Sequence, residues 1–300
     1  MQYYYVDQNK QSEMNRKEPP GKRVWTIILI ALAITFLGDL IAGFPTLLLC
    51  RVIDDAGWRF LLESYLPFIG SGVLMLLYLW FYDRDLFRTV LPAKKGGLRG
   101  NTLLQLLLGF LAGMALNGFC ALIAALHGDL KFTVGKFDVV YMVAAVILVA
   151  IQSSTEELVF RNYVFQAINR RFGFASAVVW NSIVFAMMHG ANPGIGPLPI
   201  IDLLVWSVFC SFVLYYFDGL WFIMMVHTAW NYTQNFLLGL PNSGLVSERS
   251  FLHLEAASGS LFYDFNFGIE GGLTSILEFA ILSILIYFLV KRKKQTAEEL

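Results

Sequence analysis

Apolar residues in this chain come in long runs, and polar or charged residues are largely confined to the gaps between them. A helix that crosses a bilayer needs about 20 predominantly apolar residues. Eight stretches approach that length: 25–49, 64–82, 102–126, 138–160, 174–190, 198–217, 219–239 and 272–290. The fourth meets no Gly or Pro before Gly173, so its helix is expected to run on to about Arg171. The fifth and sixth are short and are separated by "HGANPGIGPLP", whose Gly and Pro residues break the helix. A break at membrane depth is tolerated only where it is buried in protein or lines a cavity. Only "YYFDGLW" separates the sixth and seventh, which predicts an antiparallel hairpin. The connection 240–271 contains Gly and Ser and reads as a mobile outer loop.

Composition agrees with this pattern. Hydrophobic residues make up 57% of 300 positions and charged residues 15%, against about a quarter charged in a soluble domain. The formal net charge is zero, so no overall field favours nucleic acid. Cys50, Cys120 and Cys210 all lie in apolar runs, which argues against a disulfide framework. The polar start "MQYYYVDQNKQSEMNRKEPPGKR" is longer than a signal-peptide n-region, and no small-residue cleavage site follows, so the first helix reads as an uncleaved span.

Lys and Arg concentrate at alternate connections: in the N-terminal segment, at 84–99, at Arg170 and Arg171, and in the closing "KRKK" at 291–294. By the positive-inside rule these segments face the cytoplasm. The expected fold is an all-α polytopic transmembrane helical bundle of about eight spans with both termini cytoplasmic. Residues 25–290 form its one domain, between tails 1–24 and 291–300.

Chemistry is concentrated in a few polar residues within the apolar runs. "SSTEELVFRNYVF" at 153–165 places Glu156, Glu157 and Arg161 directly after "VVYMVAAVILVAIQ". Glu157 and Arg161 are four apart in the order that favours an ion pair along one helix face. Glu156 lies about 100° further round and has no partner in its own turn, so it is expected to face the bundle interior. His189 ends "FAMMH", four residues after Phe185, which reads as a packing residue. His227 and Asn231 share one face in "HTAWN". Two His and one Glu form the ligand set of many catalytic zinc sites. Glu and His also polarise a water without metal, while His and Asn donate to an oxyanion. From the residues alone, hydrolase and proton-coupled transporter both stay open. A transporter would use Asp39, Glu156, Glu278 and the histidines. Asp39, Asn117, Asn181 and Glu278 otherwise read as interhelical hydrogen-bonding groups, and His127 and His253 as surface residues.

In this order and at these separations, "EELVFR", "FAMMH" and "HTAWN" resemble the three motifs of the CPBP family, EExxxR, FxxxH and HxxxN. That family includes the type II CAAX prenyl endopeptidases and the bacteriocin-processing or immunity (Abi) membrane proteins. The resemblance covers roughly 138–235, and Asn162 stands where family members usually have Gly. It implies an intramembrane endopeptidase in which Glu156 is the catalytic glutamate, Glu157 and Arg161 are a structural pair, and His189 activates water. His227 and Asn231 hold the oxyanion, or Glu156, His189 and His227 bind one divalent metal such as zinc. The expected substrate is a peptide or membrane-protein segment, cut near the cytoplasmic half of a bacterial plasma membrane. A non-catalytic immunity protein is the remaining alternative.

Overall fold

The computed structural model describes residues 23–93, 100–135 and 137–298, with side chains to 289. The basic residues before Arg23, those at 94–99, and Lys136 lie outside the described residues. So do the side chains of 291–294 and most of the two expected tails, although the helical backbone itself continues past 290.

The apolar runs fold as helices: α1 Val24–Cys50, α2 Ala56–Tyr65, α3 Phe68–Tyr82, α4 Arg84–Val90, α5 Leu103–His127, α6 Val139–Glu157, α7 Gln166–Met188, α8 Pro197–Phe217, α9 Leu220–Tyr232 and α10 Leu273–Glu298. A π-helical turn, Leu158–Phe165, joins α6 to α7, and a second, Thr233–Leu237, extends α9. Side-chain oxygens cap several starts: Asp55 accepts from Trp58 N, Thr102 from Gln105 N and Asp138 from Tyr141 N. Gly128, at φ 95°, closes α5 in the left-handed conformation.

Among the described residues five helical stretches are long and apolar enough to cross a membrane: Val24–Cys50, Ala56–Tyr82, Leu103–His127, Val139–Met188 and Pro197–Phe217. The fourth of these contains two of the expected runs. Helix continues past Arg171 and is interrupted at Gly173, whose φ of 81° and ψ of 168° are non-helical. The runs 219–239 and 272–290 correspond to α9 with its π extension and to the apolar part of α10, which are shorter.

Two expectations need correction. The chain is not purely helical: β1 Leu130–Val134 pairs antiparallel with β2 Leu252–Ala257, with an irregularity between Lys131 and Phe132. The 240–271 connection is therefore anchored by structure of its own. Arg249 in it pairs with Asp55 and, at 3.1 Å, with Asp138, and lies 5.3 Å over the Tyr141 ring. Three connections of the chain, at 51–55, 128–138 and 238–272, are tied together on one face of the bundle.

The helix carrying His227 is placed by glycines. A Cβ at Gly109 would lie 2.3 Å from Phe222 O, and one at Gly113 2.3 Å from Val226 O. These small residues four apart let the backbones of α5 and α9 touch. The polar residues in the apolar runs form hydrogen bonds between elements, as expected: Asp39 with Ser71, Asn117 Nδ2 with Gln234 at 3.0 Å, Asn181 Nδ2 with Ser207 at 3.2 Å and Glu278 with Cys120 at 3.2 Å, while Oδ1 of Asn117 and of Asn181 has no partner among the described residues.

Gly113→Leu is expected to destabilise the protein by about 1–3 kcal/mol through overpacking, read as a lower unfolding midpoint in detergent. Gly118→Ala, where a Cβ meets nothing within 4 Å, is the control and leaves the midpoint unchanged or higher. Equal effects of the two would refute the glycine-set contact of α5 with α9.

Candidate active site

Glu157 and Arg161 are fully buried, with Arg161 Nε 3.2 Å from Glu157 Oε2. The arginine carbon of the guanidinium lies 4.2 Å from the centre of the Phe185 ring. Charge on one edge and an aromatic face beneath offset part of the cost of desolvating the guanidinium, whose nitrogens meet no hydrogen-bond criterion among the described residues. The pair spans the junction from α6 into the π turn, a helix distortion often found at functional sites.

The second oxygen of Glu157 does more than the motif implied. His227 Nδ1 lies 2.9 Å from Glu157 Oε1. An ionised carboxylate only accepts, so Nδ1 carries the proton and Nε2 points onward. It points toward Glu156, whose Oε2 is 3.8 Å away, too far for a direct hydrogen bond. Glu157 is thus both the partner of Arg161 and the group that orients His227. Trp206 closes the other side of the imidazole, edge-on at 5.3 Å.

Glu156 faces the interior, as its place on the helix predicted. Its Oε1 accepts from Gln152 Nε2 at 2.7 Å, while its Oε2 is buried with no hydrogen-bond partner among the described residues. Gln152 sits one turn earlier on the same face, and its own Oε1 accepts from Asn231 Nδ2 at 3.2 Å. Asn231 makes a weaker 3.5 Å contact with Ser153, and its Oδ1 accepts from Asn242 at 3.3 Å. His189 ends α7, and its Nδ1 lies 2.9 Å from Phe185 O. A carbonyl only accepts, so the proton is on Nδ1 and the lone pair is on Nε2. The FxxxH spacing therefore has a direct purpose: Phe185 supplies the carbonyl that sets the His189 tautomer and the ring that carries Arg161.

Glu156, His189, His227 and Asn231 all line one cavity of about 270 Å³. The sequence reading located these four and missed part of the wall, notably Gln152, Asn242 and Ser243. Gln152 had a signal, since it lies four residues before Glu156. The loop residues had none. Asp39, read from sequence as an interhelical group, has that partner in Ser71 but also faces the cavity. Asn162, the departure from the family pattern, is buried away from the cavity, where it bonds Thr89 at 2.6 Å and Leu86 O at 3.2 Å to dock α4.

The loop wall is held by Glu270. Its carboxylate accepts from Asn242, Ser243 N, Ser243 Oγ and Trp230 Nε1 at 2.6–3.0 Å. Burial pushes its pKa upward, and the donors from Ser243 and Trp230 offset that only in part. Ser243 adopts a left-handed φ of 48°, which this set of bonds maintains.

Among the described residues no three His, Cys, Asp or Glu side chains gather as a ligand set, and Glu156, His189 and His227 are no exception.

Glu157→Gln is expected to cost about 3–5 kcal/mol, because it strands a buried guanidinium. Glu156→Gln keeps the Gln152 contact and is expected to melt as wild type in detergent. A wild-type melt for Glu157→Gln would contradict the assigned role of the pair.

Residues 136–233, about a third of the chain, match the family model described as type II CAAX prenyl endopeptidase Rce1-like. No curated protein and no solved structure matches the chain. The matched segment contains all three motifs and every motif residue at the cavity, and the family it represents is one of proteases. Together with the apolar helices this fits a multi-pass membrane protein, and over that segment the chain is similar to the type II CAAX prenyl endopeptidase Rce1-like family.

Proposed function

We propose that the chain is an intramembrane endopeptidase that hydrolyses a peptide bond with a water activated by Glu156 and His189. The observation that carries this reading is the unpartnered, buried Oε2 of Glu156 in the cavity that also holds His189, His227 and Asn231. Glu156 takes a proton from water and the hydroxide oxygen bonds to the peptide carbonyl carbon, with Nε2 of His189 accepting the second water hydrogen. Negative charge then develops on the carbonyl oxygen. An Asn231 N–H stabilises it, as does His227, held in place by Glu157, when its Nε2 carries a proton. As the C–N bond breaks, Glu156 returns its proton to the leaving nitrogen, giving an amine, and the remaining water proton passes from the new carboxylic acid to Nε2 of His189, leaving a carboxylate.

Gln152 tethers both ends of this machinery, Glu156 and Asn231. The substrate is a membrane-associated peptide or protein segment, and the distribution of basic residues suits the plasma membrane of a bacterium.

A second reading, proton-coupled transport, draws support from Asp39, which faces the same cavity as Glu156. It places less weight on Glu278, which bonds Cys120 instead. Transport predicts pH-gradient-driven flux in liposomes and no peptide cleavage. An immunity role predicts that Glu156→Ala retains full protection of cells.

The deciding experiment compares membrane peptides of cells making wild type or Glu156→Gln. Peptides present only with wild type identify the substrate, and identical peptide sets would refute the protease. On the substrate so found, Asn231→Ala is expected to lower kcat by about 10²–10³-fold with little change in KM. Activity is expected to persist in a strong chelator, and loss that divalent metal restores would overturn the metal-free scheme.

A further inference from the structure

The cavity belongs to one face of the bundle. Gly100 N donates to Phe217 O at 3.1 Å, and Arg170 pairs with Asp83 at 3.2 Å. These contacts put the connections at 83, 100, 170 and 217 on one face, where α1 also begins. Arg249 joins Asp55 and Asp138, and β1 joins β2. The connections at 51–55, 128–138 and 238–272 therefore share the opposite face, where α7 ends. The connecting segments that line the cavity come only from this second face: Asn192, Asn242, Ser243 and Leu245. Met188 and Leu245, 40% and 38% exposed, are its most exposed wall residues, so its mouth lies there.

Charge labels the two faces. In the sequence, sixteen of the twenty-two Lys and Arg belong to segments that lead into or out of the first face: the stretch before α1, 84–99, 170–171 and 291–294. Five belong to the second, at 51, 59, 131, 136 and 249. One of those, Arg249, is held by Asp55 and Asp138. Arg161 is buried between the faces. Lys and Arg near span ends are retained on the cytoplasmic side.

We propose that the cavity is reached from the non-cytoplasmic face, and that its substrate is a peptide segment presented from outside: an exported peptide or the membrane-proximal part of a surface protein. The substrate class rests on the protease reading, whereas the direction of the opening does not. The wall carries Asp39 and Glu156 and neither Lys nor Arg, so an acidic segment is disfavoured.

The test is cysteine labelling of the full chain in intact bacterial cells. The native cysteines are buried, which leaves a membrane-impermeant maleimide to report on introduced ones. Leu245→Cys marks the mouth, Glu255→Cys the second face and Asp85→Cys the first. The expected result is labelling of the first two from outside and of Asp85→Cys only after permeabilisation. The reverse pattern overturns the proposal, as does labelling of Glu255→Cys without Leu245→Cys in unfolding-resistant protein. Labelling needs no catalysis, so the expected pattern in a chain that cleaves nothing would refute the protease reading and leave the direction of the opening standing.

Discussion

The structure depends on a guanidinium that has no water. Arg161 lies where ionic groups cost several kcal/mol unless paired, and it is paired with Glu157 at one edge and packed on Phe185 beneath. Removing water from this pair makes it rigid, because neither group has another place to go. That rigidity passes to His227 through the other oxygen of Glu157. Three helical segments, from the first motif, the end of α7 and α9, are registered against one another by a single buried charge cluster.

The rest of the fold keeps that cluster dry and its neighbours aligned. Gly109 and Gly113 bring α9 against α5, so His227 and Asn231 stand at the depth of Glu157 and Gln152. The loop after α9 is drawn back over the site by Glu270 and the β1–β2 pair. It supplies Asn242 and Ser243 as polar wall where lipid would otherwise reach. A hydrolytic site in an apolar bundle needs such a wall, since both water and a peptide backbone must be solvated inside it.

The helical bundle and the convergence of four polar residues on one cavity were legible in the sequence for physical reasons. Runs of apolar residues have one stable form in lipid, and a charge or imidazole inside such a run needs a local partner or a shared polar interior. The i, i+4 spacing of Glu157 and Arg161 gave the ion pair directly. It did not give the His227 contact, because two residues seventy positions apart leave no mark in spacing. The β pairing was missed because "LKFTV" and "LHLEAA" are short and become strands only against each other. The direction of the cavity required the loops to be placed, and nothing in their composition places them.

The orientation of His227 by Glu157 is the central claim, and nitrogen-15 NMR of histidine-labelled protein in detergent tests it most directly. The account predicts that His227 carries a proton on Nδ1 in the wild type and loses that preference in a folded Glu157→Gln variant. A wild-type His227 protonated on Nε2 with a bare Nδ1 would contradict it.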